Sequence, residues 1–335
     1  MKRLTLSLVL ALLICPMSRA LAVSESGVLF LRISPDARST GMGETAVAIV
    51  DGAMATAWNP GALGYADHKE LTFTYFKWLP ELADDLYYLY FSYVQPVKGL
   101  GTIGISVPYL SLGEQTRTNE IGDELGNFSS FDVAVVLSYG TKIANVLAVG
   151  SNVKIIRSNL SNVGAGAEVG KGIATTFAVD AGAMYRIHRR LTLAGVVQNL
   201  GPKVTYIDAD QADPLPRNLK VGFALKALDG KYNRLTIASD FNKSLVTKQT
   251  VSSLSESVWN VGGEYWYANF IALRTGAIAD MAGKINSNGK RAMTLTPTFG
   301  GGLQWRTYRF DFSYMTGGSN AVLQNITKFS ITAGF

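Results

Sequence analysis

Cysteine is all but missing from these 335 residues, and the single one, Cys15, lies inside an apolar stretch near the start. Disulfides, thiol nucleophiles and thiolate metal sites are thereby excluded from everything downstream. Imidazole is almost as scarce: the two histidines, His68 and His188, stand at no spacing that suits a metal. No Gly-x-Ser-x-Gly elbow occurs. Charge is thin, at 17% of residues against about 25% in ordinary soluble domains. Beyond residue 22 no apolar run approaches the ~18 residues that announce a spanning helix. Two runs, Gly41-Met42-Gly43-Glu44-Thr45-Ala46 and Gly99-Leu100-Gly101-Thr102-Ile103-Gly104, have dinucleotide-fingerprint spacing. The first follows no strand and the second opens one, whereas a phosphate loop passes from strand into helix. Asp208, Asp210 and Asp213 could hold calcium weakly, but read first as a solvated outer loop. No enzyme activity, cofactor or metal is expected.

What is present begins with a targeting segment. Lys2 and Arg3 precede an apolar run from Leu4 to Met17, and Ala20-Leu21-Ala22 supplies a small-x-small cleavage pattern. This is a secretory signal peptide over 1–22, too short to span a bilayer. Leu12-Leu13-Ile14 ahead of Cys15 lacks the small residues of a lipoprotein site. Cleavage removes Lys2, Arg3 and Arg19 and no acid, halving the formal charge of +6. The basic balance is therefore largely a property of the leader, and no nucleic-acid partner is expected.

The rest alternates. Ile103, Ile105, Val107 and Tyr109 interleave with Thr102, Gly104, Ser106 and Pro108; Phe131, Val133, Val135, Leu137 and Tyr139 interleave with Asp132, Ala134 and Ser138. Period 2 of this kind is a strand with one apolar face. Fourteen such strands are expected, near 70–78, 85–95, 100–109, 128–139, 146–156, 173–187, 191–201, 217–227, 233–242, 258–267, 269–278, 294–303, 306–315 and 325–335. Each is close to the roughly 9–11 residues of a tilted spanning strand. Short connections alternate with longer polar ones at 79–84, 110–127, 157–172, 202–216, 243–257, 279–293 and 316–324. That rhythm belongs to outer-membrane barrels, with short periplasmic turns and long outer loops. The polar faces carry small residues with scattered ions of both signs, such as Lys154, Asp180, Asp240, Glu264, Arg274 and Asp311. Those suit a crowded lumen. Tyr75, Trp78, Tyr93, Tyr109, Tyr139, Tyr185, Tyr265, Tyr267 and Tyr308 would supply interfacial girdles.

The fold expected is all-β: a single transmembrane up-and-down antiparallel barrel of about fourteen strands over 67–335. Its partner is outer-membrane lipid, in the outer membrane of a Gram-negative bacterium. The last strand, Lys328 to Phe335, ends on an aromatic and resembles the terminal strand by which such barrels are read by the barrel-assembly machinery.

Residues 23–66 do not alternate. They hold Ser34-Pro35-Asp36-Ala37-Arg38, Gly41-Met42-Gly43, an Ala-rich stretch and Trp58-Asn59-Pro60-Gly61. A barrel this wide encloses more space than its own side chains fill, so the segment is expected to plug the lumen. Pro35 and Pro60 stop regular structure, and Gly41 and Gly43 permit close backbone approach. Asp36 and Arg38 could pair with each other or with lumen ions.

Gly27-Val28-Leu29-Phe30-Leu31-x-Ile33-x-Pro35-Asp36-Ala37-Arg38, then Gly41-Met42-Gly43, Ala46 and Trp58-Asn59-Pro60, resembles the start of the PorV/PorQ family. That family lies within the FadL-like (OMPP1/FadL/TodX) superfamily of outer-membrane transporters. Gly61 stands where FadL-like plugs usually have Ala. The resemblance implies a type IX secretion component that receives exported cargo from the translocon or hands it to a surface attachment complex, with its outer loops contacting cargo or secretion-system proteins. The alternative it implies is a channel for hydrophobic small molecules such as long-chain fatty acids. Phe30, Pro35, Asp36, Arg38, Gly41, Met42, Gly43, Trp58, Asn59 and Pro60 are the plug residues expected to pack, to gate or to meet a ligand. Val28 and Leu31 join the greasy lining on the second reading.

Overall fold

A computed structural model describes residues 26–119, 121–161, 171–207, 210, 212–246, 257–285, 291–317 and 325–335. The signal-peptide reading of 1–22 lies outside the described residues.

The strands are β1 (Glu70–Lys77), β2 (Leu86–Val97), β3 (Gly101–Thr118), β4 (Glu124–Ala144), β5 (Leu147–Ser161), β6 (Gly172–His188), β7 (Leu191–Leu200), β8 (Asn218–Asp229), β9 (Asn233–Ser244), β10 (Ser257–Tyr267), β11 (Ile271–Ile285), β12 (Arg291–Trp305), β13 (Tyr308–Met315) and β14 (Ile326–Gly334). Each pairs antiparallel with its sequence neighbours, and the ring closes where β1 meets β14, from Glu70↔Gly334 to Tyr75↔Phe329. Closure leaves no strand edge to satisfy in hydrocarbon. All fourteen strands expected from the alternation are present.

The molecule is apolar outside and polar inside. Phe73, Leu137, Ile155, Phe177, Leu273, Phe299 and Phe329 point outward and are exposed, whereas Ser106, Asn152, Asp180, Asp240, Glu264, Arg274, Asp311 and Lys328 are buried. Tyr75, Tyr87, Tyr109 and Phe131 form a continuous aromatic band across β1–β4, with ring centroids 5.9–6.1 Å apart. Trp78 departs from the girdle expected of it. It packs inward against the core, edge-on to Phe76.

Several outer connections differ from the expectation; the one expected over 279–293 is shortened because β11 reaches Ile285 and β12 starts at Arg291. β3 and β4 continue to Thr118 and from Glu124, so the loop expected over 110–127 shrinks to a tip at 119–123. β2 leaves β3 at Leu112 and β5 leaves β4 at Phe131, so the ribbon stands clear of its neighbours. Both of its faces meet water there, and alternation fades. The connection after β7 is not a purely solvated loop. Val204 and Asp213 bridge, Leu215 and Val204 are buried in the main core, and Pro214 O accepts a hydrogen bond from Gly27 N at 3.1 Å. Asp208 lies outside the described residues.

Residues 29–65 fill the lumen as five short helical turns: Leu29–Arg32, Ala37–Gly41, Gly52–Met54, Ala55–Trp58 and Pro60–Tyr65. None is long enough to stand alone. They are held by the wall.

Candidate functional site

The site is built where the plug meets the wall. Asp36 caps the helix Ala37–Gly41, accepting from Ser39 N at 2.9 Å. Its other oxygen accepts from Trp58 Nε1 at 2.8 Å. Asp36 therefore ties the two plug motifs together and makes no pair with Arg38. Asn59 does similar work: it caps the turn Pro60–Tyr65 through Gly61 N, and its amide donates to Val47 O and Ala183 O.

Arg38 reaches the barrel. It forms a forked pair with Glu264 of β10, both contacts at 2.9 Å, and meets Asp51 at 3.0 Å. Glu264 also takes Arg274 Nε at 2.7 Å, and Arg274 goes on to Asp311 at 2.8 Å. Burial works against the charge on Arg38, but Glu264 and Asp51 outweigh it and hold the guanidinium pKa well above its usual value. At the base of β1, the Asp67 hydrogen bond raises the His68 pKa; partial burial opposes this and Glu70 adds to it.

Wall side chains also grip plug backbone. Asp240 accepts from Ala46 N and Val47 N at 2.7 and 2.9 Å. Asn260 donates to Gly43 O and Asn152 to Thr56 O. Lys328 Nζ donates to Ser34 O at 2.6 Å and lies 4.5 Å from the Phe76 ring centroid.

Two glycine sockets receive the two motifs. Gly262 and Gly276 face each other across β10 and β11. A Cβ on Gly262 would stand 2.2 Å from Met42 O, and one on Gly276 2.2 Å from Gly43 N. Across β5 and β6, Gly150 and Gly182 face each other in the same way. A Cβ there would stand 2.2 Å from Pro60 O and 2.2 Å from Asn59 Oδ1. At Gly262, Gly276 and Gly150 main chain thus rests directly on main chain, and at Gly182 the Asn59 amide oxygen takes the space.

Among the described residues, a cavity lies on each side of the plug. The outer one, about 410 Å³, is bordered by Leu31, Pro35, Trp58, Trp78, Tyr88 and Met315 among others. Lys220 of β8 also borders it, its Nζ 4.4 Å from the Trp58 ring centroid. On the other side lies a vestibule of about 1010 Å³ among the short turns, with Arg38 at its ceiling. Of the plug residues singled out in the sequence, Pro35 and Trp58 border the outer cavity and Arg38 the vestibule. Phe30, Asp36, Met42 and Asn59 are buried in packing. Gly41, Gly43 and Pro60 lie against wall backbone. Lys220 and Tyr88 carry no signal in the sequence that marks them for the site, and Trp78 reads there as a girdle aromatic.

A family model described as "Type IX secretion system protein PorV" matches residues 17–251. The chain belongs to the PorV family. Nothing among the curated proteins matches the sequence. Among solved structures, the toluene transporter TodX of Pseudomonas putida superposes with a TM-score of 0.60 at 13% identity, covering 90% of this chain and 98% of that one. The toluene transporter TbuX of Ralstonia pickettii gives 0.55 at 15% identity, again over 90% and 98%. A FadL homologue of Pseudomonas aeruginosa gives 0.56 at 11%, over 90% and 98%. At these identities the likeness is one of fold: the closed fourteen-strand barrel with an N-terminal plug. Fold and PorV family together are those of an outer-membrane barrel rather than of an enzyme.

Proposed function

We propose that this PorV-family barrel serves type IX secretion, binding exported cargo or a translocation partner at its outer face. The observation that carries the reading is the family match over residues 17–251. The lumen supports it physically. A plug stitched to the wall by buried ions and by main-chain contact suits a closed platform better than an open conduit. The β3–β4 ribbon and the other long connections would present the docking surface. Export by a leader cleaved after residue 22, and assembly through the strand ending at Phe335, belong to the same proposal. Deleting the gene and analysing secreted and surface-attached proteins is the test. Loss of type IX cargo from the surface is expected, and unchanged export and attachment would sink the reading.

The outer cavity favours a second reading, the uptake of hydrophobic small molecules. Its volume of about 410 Å³ falls within the ~300–1,000 Å³ of ordinary ligand pockets. Its walls pair Leu31, Trp58, Tyr88 and Met315 with Lys220 as a polar anchor. Two of the similar structures are of toluene transporters. On this reading Pro35 and Trp58 meet the ligand from the plug side. Mass analysis of gently purified protein should find a co-purifying apolar molecule that Trp58→Ala loses. An empty cavity in the unaltered protein would count against uptake.

A further inference from the structure

We infer that the vestibule at the short-turn end is a docking site for an acidic, extended peptide segment of a periplasmic protein. In such barrels the short turns face the periplasm, so this mouth opens away from the surface on which the secretion reading depends. The inference does not rest on that reading.

The wall of the vestibule is unevenly charged. Asp51, Asp67, Glu70 and Glu264 border it, and each is already engaged, by Arg38, by His68, by Ala53 N with His68, and by Arg38 with Arg274. Asp229 is the remaining acidic side chain among the bordering residues. Against it stand Arg186, Arg189, Arg190, Lys226, Arg234 and Arg306, none of which takes part in a described ion pair. Arg186 lies 3.6 Å from the Tyr65 ring centroid. Arg234 lies 5.9 Å from that of Trp266, and its Nε is buried without a hydrogen-bond partner among the described residues. Guanidinium groups stationed beside aromatic rings, one of them with a buried N–H left without a partner, can receive carboxylates.

The spacing chooses the ligand. These cations sit on β6, β8 and β9 and on two different turns, so a segment carrying several carboxylates can meet more of them than a single phosphate can. The same vestibule is bordered by Ile49, Val50, Met184 and Leu228. Acid alternating with apolar side chain is the pattern that such a wall matches. The opening of about 1010 Å³ is at the top of the range for ligand pockets.

The test uses the full chain in neutral detergent and a labelled peptide alternating glutamate with leucine, followed by fluorescence anisotropy. Saturable binding that weakens with added salt is expected, with none for a lysine–leucine counterpart. Arg186→Gln combined with Arg234→Gln should weaken binding about tenfold or more. Arg189→Gln with Arg190→Gln, in an exposed turn where folding is not at stake, should weaken it in the same direction. No saturable binding, or binding that both double variants leave unchanged, overturns the inference. Displacement by inorganic phosphate or by short-chain phosphatidylglycerol at concentrations equal to the peptide's also overturns it, reassigning the mouth to phosphate chemistry.

Discussion

Glu264→Gln is expected to destabilise the barrel by about 3–5 kcal/mol, because it leaves two arginines facing each other without the acid between them. Arg274 has no side-chain exposure, Glu264 4% and Arg38 14%, so water cannot take over the lost pairing. The useful contrast is Arg38→Met with Glu264→Met. That pair of changes removes a cation and an anion together and leaves Arg274 its contact with Asp311. Replacing both members of a buried pair by apolar residues is often close to neutral, so the double variant should recover most of the loss. Urea unfolding in lipid vesicles measures both. A single-variant cost below about 1 kcal/mol, the range of exposed pairs, would show that this ion chain does not hold the plug.

Gly262→Ala with Gly276→Ala is expected to drive the Gly41-Met42-Gly43 turn off the wall. Each added methyl would overlap plug main chain at 2.2 Å, and backbone cannot swing aside as a long side chain can. Overpacking of this kind costs about 1–3 kcal/mol per site. The plug should therefore become open to protease at Arg38 while the sheet signal in circular dichroism stays intact. Gly263→Ala is the control: it lies next to Gly262, but its nearest neighbour is Thr236 O at 4.0 Å. Equal protease sensitivity in Gly263→Ala and in the double variant would dismiss the socket.

The strands were legible because hydrocarbon enforces period 2. Phe131 to Tyr139 and Tyr308 to Tyr314 could be read residue by residue, and the structure places them facing out. Where hydrocarbon stops, the signal stops. The ribbon beyond Leu112 reads as a loop because both of its faces meet water. The inward packing of Val204 and Leu215 has a different cause: they are isolated apolar residues in the sequence, and their burial comes from the distant core residues they join. The plug was legible as a plug because forty apolar, glycine-rich residues have nowhere else to go. Its contacts were not. Arg38 could be marked as an ion that needs a partner, but choosing Glu264 over Asp36 requires the register of β10. The sockets were equally hidden, since Gly150 and Gly262 look like any other small residue on a lumen face until Pro60 and Met42 are laid against them.

The two sockets stand on β5–β6 and β10–β11, five strands apart one way around the fourteen-strand ring and nine the other. A plug seated in both acts as a crossbeam. A hoop of fourteen strands is soft toward squashing into an oval, and bilayer pressure or a neighbour leaning on one side pushes it that way. With the beam in place, flattening along its length must crush main chain against main chain, so the bore keeps its roundness under load.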